Sequence, residues 1–83
     1  MSQSRIQELF NYCQERLQSI ESLLENTTSF TFAPMLKLRL ITKQNILRHL
    51  VDYKTCYHFA SIEDIAQYIE DRTDTICGFH EED

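Results

Sequence analysis

The chain has one glycine, one proline and no tryptophan among its 83 residues. So few turn-formers exclude a loop-rich or many-turned β fold, which would use glycine and proline freely. No apolar run approaches the roughly 18 residues that a membrane span needs, and no basic-then-apolar leader opens the chain. Cysteine is scarce as well. Its count of three is odd, so the thiols cannot all pair within one chain, and a reducing, cytoplasmic setting is the expectation. Glycine-rich phosphate loops, paired-carboxylate metal motifs and hydroxyl nucleophile elbows are missing, which leads us to expect a non-enzyme.

What the chain does have is enough apolar material to fold. It is 42% hydrophobic with nine aromatic rings, a globular composition in a length that allows one domain, residues 1–83. A chain of this size buries only about 60% of its unfolded surface, so its stability margin is thin. The net charge of −5 is unevenly spread. Residues 1–33 carry −2. Residues 34–54 carry +4, from Lys37, Arg39, Lys43, Arg48 and Lys54 against Asp52. Residues 55–83 carry −7, from Glu63, Asp64, Glu70, Asp71, Asp74, Glu81, Glu82 and Asp83 against Arg72.

Residues 4–25 hold the clearest pattern. Ile6, Leu9, Phe10, Cys13, Leu17, Ile20, Leu23 and Leu24 recur mostly at gaps of three and four, which places one apolar stripe on a long α-helix. Ser4 and Gln7 suit a capping pair at its start, and Asn26, Thr27 and Thr28 compete with helical hydrogen bonding at its end. Residues 28–33 alternate Phe30 and Phe32 with small polar side chains, as a short extended segment does. Residues 34–53 fit two readings. Leu36, Leu38 and Leu40 alternate with Lys37 and Arg39 like a half-buried strand, yet Leu36, Leu40, Leu47, Leu50 and Val51 share one helical face behind a first-turn proline. The abundance of Leu, Met, Lys, Arg and Gln favours helix, although Lys43 falls on the apolar face. Residues 53–59 alternate Tyr53, Thr55, Tyr57 and Phe59 with polar partners and read as a strand or an ordered loop. Ser61, followed by Glu63 and Asp64, then opens a helix whose face of Ile62, Ile65, Ala66 and Ile69 runs to about Arg72. Residues 74–83 read as a partly disordered acidic tail. The expected fold is therefore a small, mostly α, three-helix domain with a long first helix; short β or extended segments, an α+β fold, are the alternative.

Several constellations bear on function. The first helix outreaches the third, and its surplus apolar face needs cover from Phe30, Phe32 and Phe59 or from a second copy of the chain. A homo-oligomer joined through Leu9, Cys13, Leu17, Ile20 and Leu24 is the expectation. Glu63, Asp64, Glu70, Asp71 and Asp74 line the outer side of the third helix and its exit, a surface suited to steering a basic protein partner. The principal reading is thus a non-catalytic protein-binding module, an adaptor, regulator or inhibitor. The alternative is a nucleic-acid-associated regulator using segment 37–54, with Lys37, Arg39, Lys43 and Arg48 on phosphates. Residues 41–69 loosely resemble part of a helix-turn-helix, but so acidic a second helix would repel DNA, and pairing with the chain's own acidic residues is the preferred use of those cations. Cys56, His58, Cys77 and His80 form Cys-x-His and Cys-x-x-His pairs of zinc-binding type. The single residue inside the first pair is shorter than the usual gap, so no metal and no other cofactor is assigned.

Overall fold

A computed structural model describes residues 2–26 and 34–78, with side chains from Arg5 onward in the first stretch. Within them lie three α-helices, α1 (Ser2–Asn26), α2 (Pro34–Asp52) and α3 (Ile62–Cys77), and a single 3-10 turn over Thr55–His58. The mostly α, three-helix expectation holds. The extended reading of residues 28–33 and the cover offered by Phe30 and Phe32 fall outside the described residues.

α1 buries Leu9, Cys13 and Ile20 and packs Phe10, Tyr12, Leu17 and Leu24 around them, the stripe that the spacing of three and four dictates. The helix already includes Ser2, so Ser4 is not its N-cap. Gln7 instead donates from Nε2 to Asn11 Oδ1 at 3.0 Å, an i,i+4 pair on the solvent side. In α2 the strand alternative gives way to a helix with Pro34 at its first position, where a missing N–H leaves no bond unmade. Its buried residues are Thr42, Ile46, Leu47 and Leu50. Of the expected face, Leu47 and Leu50 are buried and Leu40 and Val51 pack against the core, whereas Leu36 is exposed and the buried face extends instead to Thr42 and Ile46. Lys43, the residue that argued against a helix, lies at the edge of the buried face with its Nζ 2.7 Å from Glu70 Oε2.

Neither a strand nor a continuing helix follows. Backbone N–H groups of Tyr53 and Lys54 close α2 onto His49 O and Val51 O, and Lys54 enters the left-handed region at φ 56°. The chain then makes the 3-10 turn, which aims Cys56 into the core while Thr55, Tyr57 and His58 stay exposed. Nine residues with this turn separate α2 from α3, far more than the roughly 3–4 of a helix-turn-helix, so that likeness does not extend to the structure. Ser61 caps α3, its Oγ accepting from Asp64 N at 3.2 Å. The helix passes Arg72 and continues to Cys77, placing Asp74 inside it instead of in a tail. Thr73 and Thr75 lie within the helix with their hydroxyls donating to Ile69 O (2.6 Å) and Asp71 O (3.0 Å), so neither hydroxyl competes for a backbone N–H. Gly78, at φ 64°, ends it with an N–H to Asp74 O.

α2 is the central element. α1 packs on it and on the 3-10 turn, α3 packs on it as well, and Ile46, Leu47, Leu50, Cys56, Ile65 and Ile69 join the α1 stripe in one core. The start of α1 is tied to the chain just before α3, where the Arg5 guanidinium donates to Ala60 O at 2.9 and 3.2 Å and to Phe59 O at 3.4 Å. The molecule is 18 Å thick along its shortest axis.

Candidate protein-binding surface on α2 and α3

Side chains from α2 and α3 leave a groove of about 460 Å³ between them. Ile46 and Leu50, both buried, form its floor. Tyr68, Arg72 and Ile76 stand at i, i+4 and i+8 along α3 and make one wall; Thr42, Asn45 and His49 on α2 make the other, and Thr55 closes one end. The rings hold fixed attitudes. Phe59 tilts against Tyr68 with centroids 5.3 Å apart, and His49 stacks on Tyr53 at 5.4 Å. Ile76 is 53% exposed and Tyr68 37%, large apolar surfaces left to water at the lip of the groove. One turn before Thr42 lies Leu38, also exposed, with Met35 and Ile41 three residues to either side of it. The groove therefore opens onto an apolar row along α2.

The acidic residues expected to meet a partner divide into two groups. Glu63, Asp64 and Asp71 are exposed, and Asp71 accepts from Gln67 Nε2 at 3.0 Å. Glu70 and Asp74 face α2. Arg39 lies 3.3 Å from Glu70 Oε1 and 2.8 Å from Asp74 Oδ1, and Lys43 reaches the other Glu70 oxygen. The cations offered for nucleic acid are committed in the same way. Arg39 and Lys43 meet carboxylates of α3, and Arg48 donates to Glu21 Oε2 at 3.0 Å. Lys37 is the member of that set outside these pairs.

The stripe assigned to self-association is used inside the chain. Leu9, Cys13 and Ile20 are 2%, 0% and 4% exposed, and Leu17 and Leu24 pack against them half-buried, so the first three are covered within the chain. The four possible zinc ligands are not brought together among the described residues. Cys56 meets Cys13 in the core, Cys77 lies 3.6 Å from the Thr42 hydroxyl, His58 is exposed, and His80 is outside the described residues. No group of three or more His, Cys, Asp or Glu among the described residues is disposed to hold a metal. Burial pushes the Cys13 thiol up to about 12, helped by the charge and hydrogen bond of Cys56; burial also raises Cys56, against the lowering effect of its hydrogen bonds. Both thiols stay protonated at neutral pH, which makes them poor nucleophiles.

The groove was not foreseen from the sequence. Its signal was there, however: α2 carries Met35, Leu36, Leu38, Leu40 and Ile41 around its whole circumference, more apolar surface than one packed face needs. No helix of the described residues is long and apolar enough to cross a membrane. Comparison with protein-family models, with curated proteins and with solved structures gives no match.

Proposed function

We propose that this chain is a non-catalytic protein-binding module whose contact surface is the face shared by α2 and α3. The observation that carries the reading is the groove floored by Ile46 and Leu50, continuous with exposed Ile76, Tyr68, Leu38 and Met35. Apolar surface gathered around a concave floor and left to water is what an interface core looks like before its partner arrives. Beside it, Glu63, Asp64 and Asp71 form an acidic flank that orients a partner during approach, since summed surface charge governs encounter more than final affinity. Nucleic acid is the weaker reading, because Arg39, Lys43 and Arg48 are already held by carboxylates of the same chain and would have to exchange them for phosphates. The buried, protonated state of Cys13 and Cys56 argues against thiol catalysis.

A tagged pull-down from source-cell lysate tests this, run with and without nuclease and with wild type beside Ile76→Asp. A stoichiometric protein that survives nuclease and is lost with Ile76→Asp is the expected result. Partners that disappear with nuclease and ignore Ile76→Asp would overturn the reading and return the basic segment 37–54 to first place.

A further inference from the structure

The groove's charge says which kind of segment it accepts. In a protein of net charge −5, its lining contains one arginine, one histidine and no carboxylate. Arg72 stands midway along the α3 wall, between Tyr68 and Ile76, and it makes no ion pair within 4 Å among the described residues. No acidic side chain of α3 lines the groove: Glu70 and Asp74 are turned to Arg39 and Lys43, Asp71 accepts from Gln67, and Glu63 and Asp64 lie at the start of the helix. The flank that bears Arg72 is thus apolar with a single fixed positive charge. From Thr42 to Leu50 the groove's α2 side is about 12 Å long, the length of roughly two helical turns. A groove of that length with an apolar floor is shaped for the apolar face of a helix, with anchors at i, i+4 and i+7.

We infer that the α2–α3 groove binds an amphipathic helix of a partner protein, with large aliphatic or aromatic anchors on Ile46, Leu50, Tyr68 and Ile76 and a Glu or Asp beside them paired to Arg72. This rests on the protein-binding reading above and narrows it to one class of ligand. The pairing of Arg72 with a partner carboxylate is bidentate in kind, which gives register as well as energy.

Net charge supplies the sharpest test, because it pulls the other way. A chain at −5 attracts a basic peptide non-specifically, so a preference for an acidic one must come from the groove itself. The probes are two fluorescein-labelled synthetic helices of about four turns, alike in Leu anchors at i, i+4, i+7 and i+11, one with Glu and one with Lys flanking the anchors. Binding to the full chain is read by fluorescence anisotropy, and the footprint by amide shifts in NMR spectra. Wild type is expected to bind the Glu helix at micromolar concentration and at least about tenfold better than its Lys twin. Arg72→Glu should reverse that order, with shifts centred on Ile46, Leu50, Tyr68 and Ile76 in both cases. Because Arg72 is exposed, its exchange leaves the fold intact, and the unchanged amide spectrum of the free variant checks this.

Three outcomes would sink the inference: equal binding of both helices with no response to Arg72→Glu, no binding of either, or shifts confined to the acidic flank. A concentration-dependent dimer in sedimentation that Ile76→Asp dissociates would also overturn it, since a second copy would then be the occupant. A failed peptide test beside a successful pull-down would remove the acidic helix and leave the protein-binding reading standing.

Discussion

The two flanks of α3 are built from similar lengths of helix and end up opposite in character. On one, Glu70 and Asp74 grip Arg39 and Lys43 of α2, and Thr73 sinks its hydroxyl onto Ile69 O, fully buried. On the other, Tyr68, Arg72 and Ile76 face α2 across an open groove. One flank satisfies its charges within the chain; the other has apolar surface and a cation left over. A helix as narrow as this is enough to separate a surface that maintains the fold from one that is free to bind. The lesson is that an acidic stretch in a sequence need not be an acidic site, because the neighbouring helix determines which charges remain available.

The comparison can be broken by mutation, beginning where the fold should depend on α3 most. Ile65→Ala, at a position with no exposure, should lose about 2–5 kcal/mol in a urea melt, much of what a domain of this length has. A loss below about 1 kcal/mol would show that α3 is not fixed through this core. Titration offers a second, smaller effect. The folded Cys13 thiol ionises near 12, above its ordinary value of 9.0, so the native state favours the protonated form. Its contribution is complete below pH 9 and declines as pH rises from 9 toward 12, where the unfolded chain gains a thiolate that the folded one resists. Thermal melts over that window should fall more steeply for wild type than for Cys13→Ala; parallel slopes would count against the buried thiol.

Arg39→Ala comes next. It removes the two carboxylate contacts of Arg39 and leaves Lys43 on Glu70, and Glu70 and Asp74 are about half exposed, so the loss should be about 1 kcal/mol and should shrink in roughly 0.5 M salt. The smallest effect belongs to the open flank. Ile76→Asp should change stability by no more than about 0.5 kcal/mol, since its side chain is mostly in water. If it destabilises as much as Arg39→Ala, the two flanks are alike and the groove is part of the core.

Much of this architecture was legible from residue spacing. The α1 stripe, the Ser61 cap and the face of Ile62, Ile65 and Ile69 are local patterns, and the periodicity of side chains around a helix reveals them directly. α2 was legible as a helix from propensity, and Leu40, Leu47, Leu50 and Val51 of its expected face do pack in the core, yet the burial of Thr42 and Ile46 beside them was not. Lys43 and Arg39 take half-buried positions because Glu70 and Asp74, some thirty residues on, compensate them. The spacing ends α3 near Arg72 because its apolar face stops at Ile69 and Thr73 and Thr75 have low helix propensity, whereas the helix runs to Cys77 with Thr73 buried in the core. The meeting of Cys13 with Cys56 and the clasp of Arg5 on Ala60 leave no local trace at all. The groove belongs with them: its walls come from two helices, and its residues look like ordinary surface until the helices are side by side.

Because α2 lies between α1 and α3, the time its amides keep their protons will differ from that of its neighbours. Leu47 and Leu50 are buried in the shared core, so their N–H groups should exchange with deuterium only when the whole domain opens. The last turn of α3 has Ile76 in water and Gly78 already in a turn, and it should release its amides by local fraying long before that. A gradient of protection running from α2 outward would therefore mark the boundary between the packed core and the open groove.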